Sequence, residues 1–380
     1  MAEVTIVGAG PAGLSTAKRL AERGVQVTVL EEDKEVGLPA HCSGLISKTG
    51  AFLNKLPIEG TILNEIQGAK LIAPNRESIV LDRFETVAYA IDRSLLDKHL
   101  AKEAEKAGAE IKCNSRLIDV RGESVFLQHD SRGEMAKSKI VVGADGVNSK
   151  VRELMGIRLP KEKFVNTYQT MAKGRFNRHF VELYFGDFAK GSFAWIIPHS
   201  KETALMGLGT LLPGNAKESF DSWIKKFEFD VHLGKGNAFL IPCGEPFKSL
   251  VKENKLLVGD AAFHTKATTG GGVVFGALAG NIAGDCIAEH LKKKKQLQEY
   301  DKGVQYLNKD LNLHWKIHKY FAAQSESDIN KLFEKLKKAN IETFLEKYGN
   351  MDQPSLFWGK VLQNPRLWGL AGEVLKIGMA

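Results

Sequence analysis

The sequence predicts an α/β fold in which a parallel-sheet domain is interleaved with an antiparallel-sheet domain and followed by a C-terminal helical segment. Three observations predict this fold. A strand, a helix and a second strand follow one another in "EVTIVGAG", "AGLSTAKRLAERG" and "VQVTVLEE", the order of a right-handed parallel crossover. Short alternating segments such as "HFVELYFG" between residues 164 and 243 favour antiparallel pairing. After residue 270 the pattern is mostly helical.

The individual elements follow in order along the chain. In the first helix Leu14, Ala17 and Leu20 keep the helical period, and Gly24 supplies a stop. A second helix, "DRSLLDKHLAKEAEKAG", leads into the strand "AEIKC", the strand pair "LIDVRGESVFLQHD" and the apolar strand "KIVVGADG". The parallel pattern returns at "KLLVGDAAF". We therefore expect one discontinuous domain (1–160 plus 245–300), an inserted antiparallel domain (161–244) and a helical region (301–380).

Composition and charge narrow the classes of function. The 53 Lys and Arg residues exceed the 45 Asp and Glu residues, which gives a net charge of +8 and favours partners with phosphate or anionic lipid groups. The lysines are scattered and form no nucleic-acid module, so no nucleic-acid partner is expected. Four cysteines far apart, without CxxC spacing, predict neither a disulfide scaffold nor a metal site.

No uncharged apolar run is long enough to cross a bilayer, and residues 1–8 lead straight into a strand without room for a signal peptide. We therefore expect a cytoplasmic protein, either free or peripheral at a membrane surface.

The stretch "GAGPAG" predicts a dinucleotide site. Its glycines stand in GxGxxG spacing between a strand and a helix: the first permits a tight turn, the second lets a pyrophosphate approach the backbone, and the third lets helix and strand pack closely. Glu31 ends the second strand, where a carboxylate accepts both ribose hydroxyls and repels a 2′-phosphate, so FAD or NAD fits better than NADP. The expected contacts are Gly8, Gly10, Pro11, Ala12, Gly13, Glu31 and Glu32.

Two further motifs distinguish FAD from NAD. "VVGADGVNSKVR" and "LLVGDAAF" each follow a strand, and with "GAGPAG" they make the chain similar to the para-hydroxybenzoate-hydroxylase-type flavoproteins over residues 1–290. The resemblance implies FAD, with Asp260 near the ribityl-pyrophosphate, Arg93 touching the cofactor and Leu117 on the adenine side. Taken alone, Asp145 in the first of the two motifs has a hairpin turn as its alternative, and the joint occurrence of the motifs disfavours that alternative.

Within that superfamily the chain resembles the geranylgeranyl reductase family, which includes the archaeal digeranylgeranylglycerophospholipid reductases. "EVGLPAHCSGLIS", "GSFAWIIP" and "KATTGGGVVFG" carry the resemblance. Phe193 stands where tyrosine is usual, Ile197 replaces a second aromatic residue, and Phe263-His264 fill a position where many members have Gly plus an apolar residue. The resemblance implies reduction of isoprenoid double bonds on a prenyl diphosphate or an ether-lipid precursor.

Two other classes of function share these motifs. An FAD-dependent aromatic monooxygenase has all three flavin motifs, and a flavin-binding electron carrier has no need of a substrate cavity. The inserted sheet with Trp195 argues against the carrier. The chain has no second GxGxxG at a helix start, so we expect the electron donor, whether NADPH, ferredoxin or another, to bind transiently.

The chemistry of flavin reduction predicts roles for the glycine run and for Cys42. The helix after "TTGGG" can point its N-terminus at the flavin pyrimidine ring, which becomes anionic on reduction, and Gly271, Gly272 and Val273 are the expected ring contacts. The less favoured alternative is that the glycine run only relieves helix–sheet packing. Cys42 can contact the flavin, donate a proton or fill space. We expect it to be catalytic, with Ser43 beside the cofactor and His41 beside the substrate.

Saturating an isolated double bond needs a proton on one carbon while the other, cation-like carbon receives hydride. Aromatic faces stabilise such a carbon, which suits Trp195 as a catalytic residue, with Phe193 and Tyr184 as substrate contacts. The alternative is that these residues build the core of the sheet, as aromatic residues in strands often do.

Near the C-terminus, one helical face after Pro365 carries the apolar residues Leu367, Leu370, Ala371, Val374 and Leu375. We expect this face either to dock on the protein or to contact a membrane surface.

Overall fold

The computed structural model describes residues 3–379 and has the α/β architecture that the sequence predicts. The strands are β1 Val4–Val7, β2 Val27–Leu30, β3 Leu45–Ser47, β4 Ile62–Ile66, β5 Gly68–Ile72, β6 Ser78–Asp82, β7 Ala88–Ile91, β8 Glu110–Lys112, β9 Ser115–Arg121, β10 Ser124–His129, β11 Arg132–Lys137, β12 Ile140–Gly143, β13 Phe164–Lys173, β14 Phe180–Tyr184, β15 Ala194–Pro198, β16 Thr203–Leu211, β17 His232–Leu233, β18 Asn237–Pro242, β19 Val251–Lys252 and β20 Lys255–Leu257.

The helices stand between and after these strands, with the longest ones in the first and last thirds of the chain. They are α1 Pro11–Glu22, α2 Lys48–Leu53, α3 Arg93–Ala107, α4 Lys150–Leu154, α5 Ala216–Phe227, α6 Val273–Leu291, α7 Glu299–Gly303, α8 Gln305–Ala322, α9 Glu326–Lys338, α10 Ile341–Tyr348, α11 Ser355–Gln363 and α12 Ala371–Met379.

A six-stranded sheet in the order β19-β20-β12-β1-β2-β8 forms the nucleotide half of the molecule. All its strands run parallel except the edge strand β19. Strands β1 and β12 are buried along their whole length, which explains their continuous apolar sequences, because helices cover both faces of such a sheet. The predicted strand-helix-strand unit and the returning strand at residue 255 are confirmed.

Helices α1 and α6 pack closely on one face of this sheet because α6 presents glycines to α1. A Cβ atom on Gly280 would lie 2.4 Å from the carbonyl oxygen of Ala12, and one on Gly276 would lie 3.3 Å from the Ala12 Cβ. Both helices therefore begin beside the same point, α1 after Gly10 and α6 after Gly272.

The second large sheet has eight strands and includes two that the sequence assigned to the first domain. Its order is β17-β13-β16-β15-β14-β5-β6, with β18 also paired to β13. Strand β5 joins by pairing parallel to β14, and β6 returns antiparallel to β5. The predicted antiparallel segment thus recruits residues 68–82 from outside its expected range, while the division of the chain into domains stays a prediction.

Alternation along β14 and β15 gives this sheet two different faces. Ala194 and Ile196 join a buried cluster with Trp223 and Phe220 of α5. Trp195 and Ile197 point the other way and join Val181 and other residues in a separate cluster. One face of the sheet is therefore packed by α5, and the other faces the nucleotide half across a cavity.

The C-terminal helices close the molecule at the β6 edge. Leu367 and Leu370 are buried with Ile79 and Phe344, and Val374 packs against the same cluster. The docking alternative therefore holds for Leu367, Leu370 and Val374 but not for Leu375, which is 63% exposed because it lies off the packed face. The side chains of Pro365 and Ala371 lie outside the described part of the chain. Among the helices of residues 3–379, none combines the length and apolar character that crossing a membrane requires.

We predict that Gly280→Ala lowers the free energy of unfolding by about 1–3 kcal/mol, because its methyl group must push α6 away from α1. Urea unfolding measures this. Gly359→Ala in α11 is the matched control: its methyl group meets no atom within 4 Å, so it is expected to stabilise the protein by about 0.5–1 kcal/mol. Equal effects of both substitutions would contradict the close helix contact.

Candidate active site

A cavity of about 1220 Å³ lies between the two large sheets. The first glycine motif, the segment around Cys42 and the glycine run before α6 form one wall. Further lining comes from β3 and α2, from strands β5, β7, β14, β15 and β18, and from residues near Asp352. Of the residues predicted from sequence, the structure brings these to the cavity: Gly10, Pro11, Ala12, His41, Cys42, Ser43, Arg93, Phe193, Trp195, Asp260, Gly271, Gly272 and Val273.

The first glycine motif has the geometry that a pyrophosphate requires. Gly8 has a φ of +101°, and a Cβ there would lie 2.4 Å from the Ala144 oxygen, whereas a Cβ on Gly13 would lie 2.1 Å from the Gly8 oxygen. No atom lies within 4 Å of a Cβ built on Gly10, which borders the cavity. No side chain caps the N-terminus of α1, so its amide groups are available to phosphate oxygens.

The carboxylate predicted for the ribose lies at the end of β2. Glu31 accepts hydrogen bonds from the backbone amides of Ala9, at 2.8 Å, and Asp33, at 3.0 Å. Burial raises the pKa of Glu31, and these two hydrogen bonds offset part of the rise. The carboxylate thereby ties β2 to the glycine loop.

Glu31 itself does not border the cavity, and two further predicted cofactor contacts, Glu32 and Leu117, lie away from it as well. The Glu32 side chain is exposed and lies 3.7 Å from Arg116. The Leu117 side chain is buried in the core beneath the parallel sheet, because the alternation of β9 turns it inward.

A buried arginine joins the two glycine-aspartate motifs. Arg152 donates to the carbonyl oxygens of Val147, at 2.7 Å, and Ala261, at 3.3 Å. Asp145 accepts from the Ser149 hydroxyl and the Val151 amide at the start of α4, so it is not the corner of a hairpin.

Asp260 is partly buried at the cavity wall, and desolvation raises its pKa. Its Oδ1 accepts a hydrogen bond of 2.7 Å from the Thr265 hydroxyl. A Cβ on Gly272 would lie 2.5 Å from this same oxygen, so the glycine run relieves packing at the point where it borders the cavity.

The antiparallel sheet holds the segment that carries Cys42. The Gln169 amide donates to the Cys42 carbonyl at 3.2 Å, and the Asn237 amide donates to the Ala40 carbonyl at 3.3 Å. The His41 ring lies 6.1 Å from the Phe239 ring. The position of Cys42 therefore depends on β13 and β18.

The Cys42 thiol faces a permanent cation. Its Sγ accepts from the Gly44 amide at 3.4 Å and also interacts with Arg93. Burial lowers the pKa of Arg93, but Asp97, 3.0 Å away, and Cys42 raise it by more, so the guanidinium stays charged.

Trp195 and Phe193 form an aromatic wall, with ring centroids 5.9 Å apart in an edge-to-face arrangement. The indole of Trp195 lies on Gly207, where a Cβ would come within 2.4 Å of the ring. Its Nε1 is buried without a hydrogen-bond partner. The wall thus presents aromatic surface to the cavity, while this donor lies on the Gly207 side.

Tyr184 lies away from this wall. Its ring packs edge-on against Trp223, Phe227 and Phe229, and its hydroxyl donates to Glu182. It occupies the opposite face of β14 from the cavity-lining Val181 and Leu183. The structure therefore does not bring Tyr184 to the predicted substrate contacts.

Sequence reasoning missed a buried ion pair at the cavity. Lys266 and Asp352 lie 2.6 Å apart, and both line the cavity. Lys266 lies in the "KATTGGG" stretch quoted above. A single charged residue in this otherwise uncharged segment could have indicated the ion pair. Asp352 comes from the C-terminal region, and no motif marks it. Across residues 3–379, no group of His, Cys, Asp and Glu has an arrangement that could hold a metal ion.

Comparison with known proteins first identifies the class of protein to which this chain belongs. The profile of the FAD-binding domain family matches residues 1–233, more than half of the chain, so the chain belongs to this family of flavoproteins and FAD is its cofactor. The glycine motif, the two uncapped helix N-termini and the open space at Gly10 fit that cofactor.

The relatives then narrow the class. The chain is 30% identical over 373 residues to the digeranylgeranylglycerophospholipid reductase of Methanosphaerula palustris, with 90% of this chain and 92% of that protein covered. It is 27% identical over 395 residues to the protein of that name in Methanothrix thermoacetophila, with 98% and 99% covered. The chain therefore belongs to the digeranylgeranylglycerophospholipid reductase family, as an FAD-dependent oxidoreductase.

A solved structure agrees with the fold. A geranylgeranyl bacteriochlorophyll reductase-like protein from Thermoplasma acidophilum aligns with a TM-score of 0.84 at 22% identity, over 99% of this chain and 98% of that chain.

Buried histidines make the folded state sensitive to acid. Burial lowers the pKa of His264 to about 3, and that of His314 and His318 to about 4. The unfolded chain binds protons near pH 6.5, so their contribution is complete above that pH and is lost as pH falls towards 4.

We predict that His318→Gln weakens the pH dependence of the unfolding free energy between about pH 6.5 and 4 by about 1.4 kcal/mol per pH unit. Urea titrations at several pH values measure this slope. The difference between wild type and variant is the readout, because the partly buried carboxyls of Asp145 and Asp260, whose pKa values are raised, act in the opposite direction. An unchanged slope would rule out His318 as a source.

Proposed function

We propose that this protein saturates geranylgeranyl double bonds of a prenyl diphosphate or an archaeal-type ether phospholipid. The observation that carries the proposal is the apolar cavity that runs from the glycine motifs to the aromatic wall of Trp195 and Phe193. The names of the relatives from Methanosphaerula palustris and Methanothrix thermoacetophila agree with a lipid substrate of this kind.

The proposed cofactor contacts follow the cavity wall. Gly10, Pro11 and Ala12 hold the pyrophosphate, with Gly8 and Gly13 shaping the turn, and Glu31 holds the ribose. Asp260 and Arg93 lie along the ribityl chain. Gly271, Gly272 and Val273 contact the ring beside the positive end of α6. The proposal leaves out Tyr184, which packs on the opposite face of β14, the exposed side chain of Glu32 beside Arg116, and the Leu117 side chain in the core.

Reduced FAD supplies the hydride when it is bound. The chain supplies the rest: the Cys42 thiol at the cavity wall gives its proton to one carbon of the double bond, and Arg93 and the Gly44 amide stabilise the thiolate that remains. Trp195 and Phe193 offer ring faces to the other, cation-like carbon. The apolar lining excludes water, which would otherwise capture such a carbon.

The electron donor is proposed to bind transiently. The chain carries one dinucleotide motif, which FAD uses, so NADPH, ferredoxin or another donor meets the flavin without a Rossmann module of its own.

We predict that dithionite-reduced enzyme adds two hydrogens to each double bond that it saturates in a geranylgeranyl chain, as followed by mass spectrometry. Cys42→Ala is expected to lower the rate by about 10²-fold or more while FAD stays bound, because a positioned proton donor contributes on that scale. Cys286→Ala, a buried cysteine on α6 away from the cavity, is the matched control with an unchanged rate.

Reduced, flavin-loaded enzyme that leaves such chains unchanged would refute the reductase proposal. The monooxygenase alternative predicts a different result, namely oxygen consumption with a nicotinamide donor that depends on an aromatic substrate. An unchanged rate in Cys42→Ala would remove the proton-donor role alone.

We also propose that the cavity mouth rests on a membrane surface. Phe52 and Leu53 of α2 are 80% and 61% exposed, and Phe84, between the cavity-lining Arg83 and Glu85, is 83% exposed. Lys48 and Lys55, at the two ends of the α2 segment, add positive charge at the mouth. Exposed aromatic residues beside lysines suit anionic lipid.

We predict that a Leu53→Ser/Phe84→Ser double variant binds anionic phospholipid vesicles at least about tenfold more weakly, because each apolar side chain lost from the interface costs about 1.5–3 kcal/mol. Vesicle co-sedimentation measures this. Met135→Ser on β11 is the control: Met135 is 59% exposed but does not line the cavity, so its loss is expected to have no effect. Equal losses for both variants would contradict the proposed surface.

A further inference from the structure

Lys266 and Asp352 form a charged pair that is buried at the cavity wall. The two residues are 4% and 6% exposed, and Lys266 Nζ donates to Asp352 Oδ1 at 2.6 Å and to the Met351 carbonyl at 3.3 Å. The pair joins the loop before α6 to the C-terminal region, 86 residues further along. Burying an ion pair is rarely a gain in stability over a well-packed apolar pair, so its place at the cavity calls for another reason.

Asp352 is fixed through its carboxylate and through its backbone carbonyl. The Ser47 hydroxyl donates to Asp352 Oδ2, so each carboxylate oxygen has its own donor. The Asp352 carbonyl accepts from His314 Nε2 at 3.0 Å, and the Thr268 hydroxyl donates to His314 Nδ1 at 2.6 Å. Burial lowers the pKa of His314 to about 4, which fits the neutral ring with its proton on Nε2. The loop that carries Lys266 is thus tied to Asp352 at two points.

The lysine lies directly against the glycine run. A Cβ built on Gly271 would come within 2.7 Å of Lys266 Cε and 3.2 Å of Nζ. Gly271 precedes Gly272, the residue before α6. The ammonium and the positive end of α6 therefore act on the same part of the cavity.

We propose that Lys266 stabilises the negative charge which FAD acquires on reduction, and that Asp352 limits this effect by partly neutralising the ammonium. The proposal rests on the assignment of Gly271–Val273 to the flavin ring. Two electrons and one proton taken up by the oxidised flavin leave one net negative charge on it. A fixed cation at that point favours the reduced over the oxidised form, because charges in a water-excluded cavity interact strongly.

The test is the midpoint potential of bound FAD in anaerobic dithionite titrations against a reference dye, with every variant titrated at the same mildly alkaline pH. Lys266→Met is expected to weaken binding of reduced relative to oxidised FAD at least tenfold, which lowers the potential by about 30 mV for a two-electron couple. Lys266→Arg keeps the charge and is expected to retain the potential. Asp352→Asn removes the counter-charge and is expected to raise the potential.

Lys255→Met is the matched control. Lys255 is also buried and lies 3.0 Å from Glu253, but it does not line the cavity, so its loss is expected to leave the potential unchanged. FAD content and thermal unfolding of each variant establish that the site is intact.

Opposite shifts for Lys266→Met and Asp352→Asn support the proposal. Shifts in the same direction, or none, overturn it and leave the pair a structural link between the loop and the C-terminal region. If Lys266→Met loses diphosphate binding while the potential of its FAD stays unchanged, the proposal is also overturned. Lys266 then belongs to a substrate phosphate site. The titration uses no prenyl substrate, so its result is independent of whether the reductase activity is found.

Discussion

The contact between α1 and α6 is the constraint on which the rest of the structure depends. Gly276 and Gly280 allow the two helices to approach until backbone meets side chain, with Ala12 at the point of contact. One helix belongs to the first strand-helix-strand unit, and the other follows the whole antiparallel segment. Because this contact is close, the N-termini of α1 and α6 lie next to each other. Two sets of free amide groups and two positive dipole ends therefore face the same cavity.

The sequence predicted those parts of the fold whose signals are local. The GxGxxG spacing, the continuous apolar runs of β1 and β12, and the strand-helix alternation depend on residues within one element or its neighbours. The place of β5 was not predictable in this way. An alternating segment has the same pattern whichever sheet it joins, and its partner β14 lies more than a hundred residues away.

The residues of the candidate site also fall into two groups, those that local sequence predicts and those that it does not. The three glycine motifs and Cys42 were recognisable from short stretches, and the structure brings them to one cavity. Tyr184 and Trp195 looked equivalent as aromatic residues in strands, yet a single step in the alternation decides which face each one occupies. Asp352 had no recognisable spacing, since its partners Ser47, Lys266 and His314 come from three distant segments.

The cavity draws its walls from segments between Gly10 and Asp352, and this bears on how the protein matures in the cell. Domains generally fold as units during synthesis, with N-terminal parts first. Here the first glycine motif emerges early, but α6 and Asp352 are made only after the antiparallel sheet. The newly made glycine loop therefore borders an incomplete cavity, whose walls are complete only once the segment around Asp352 has been made.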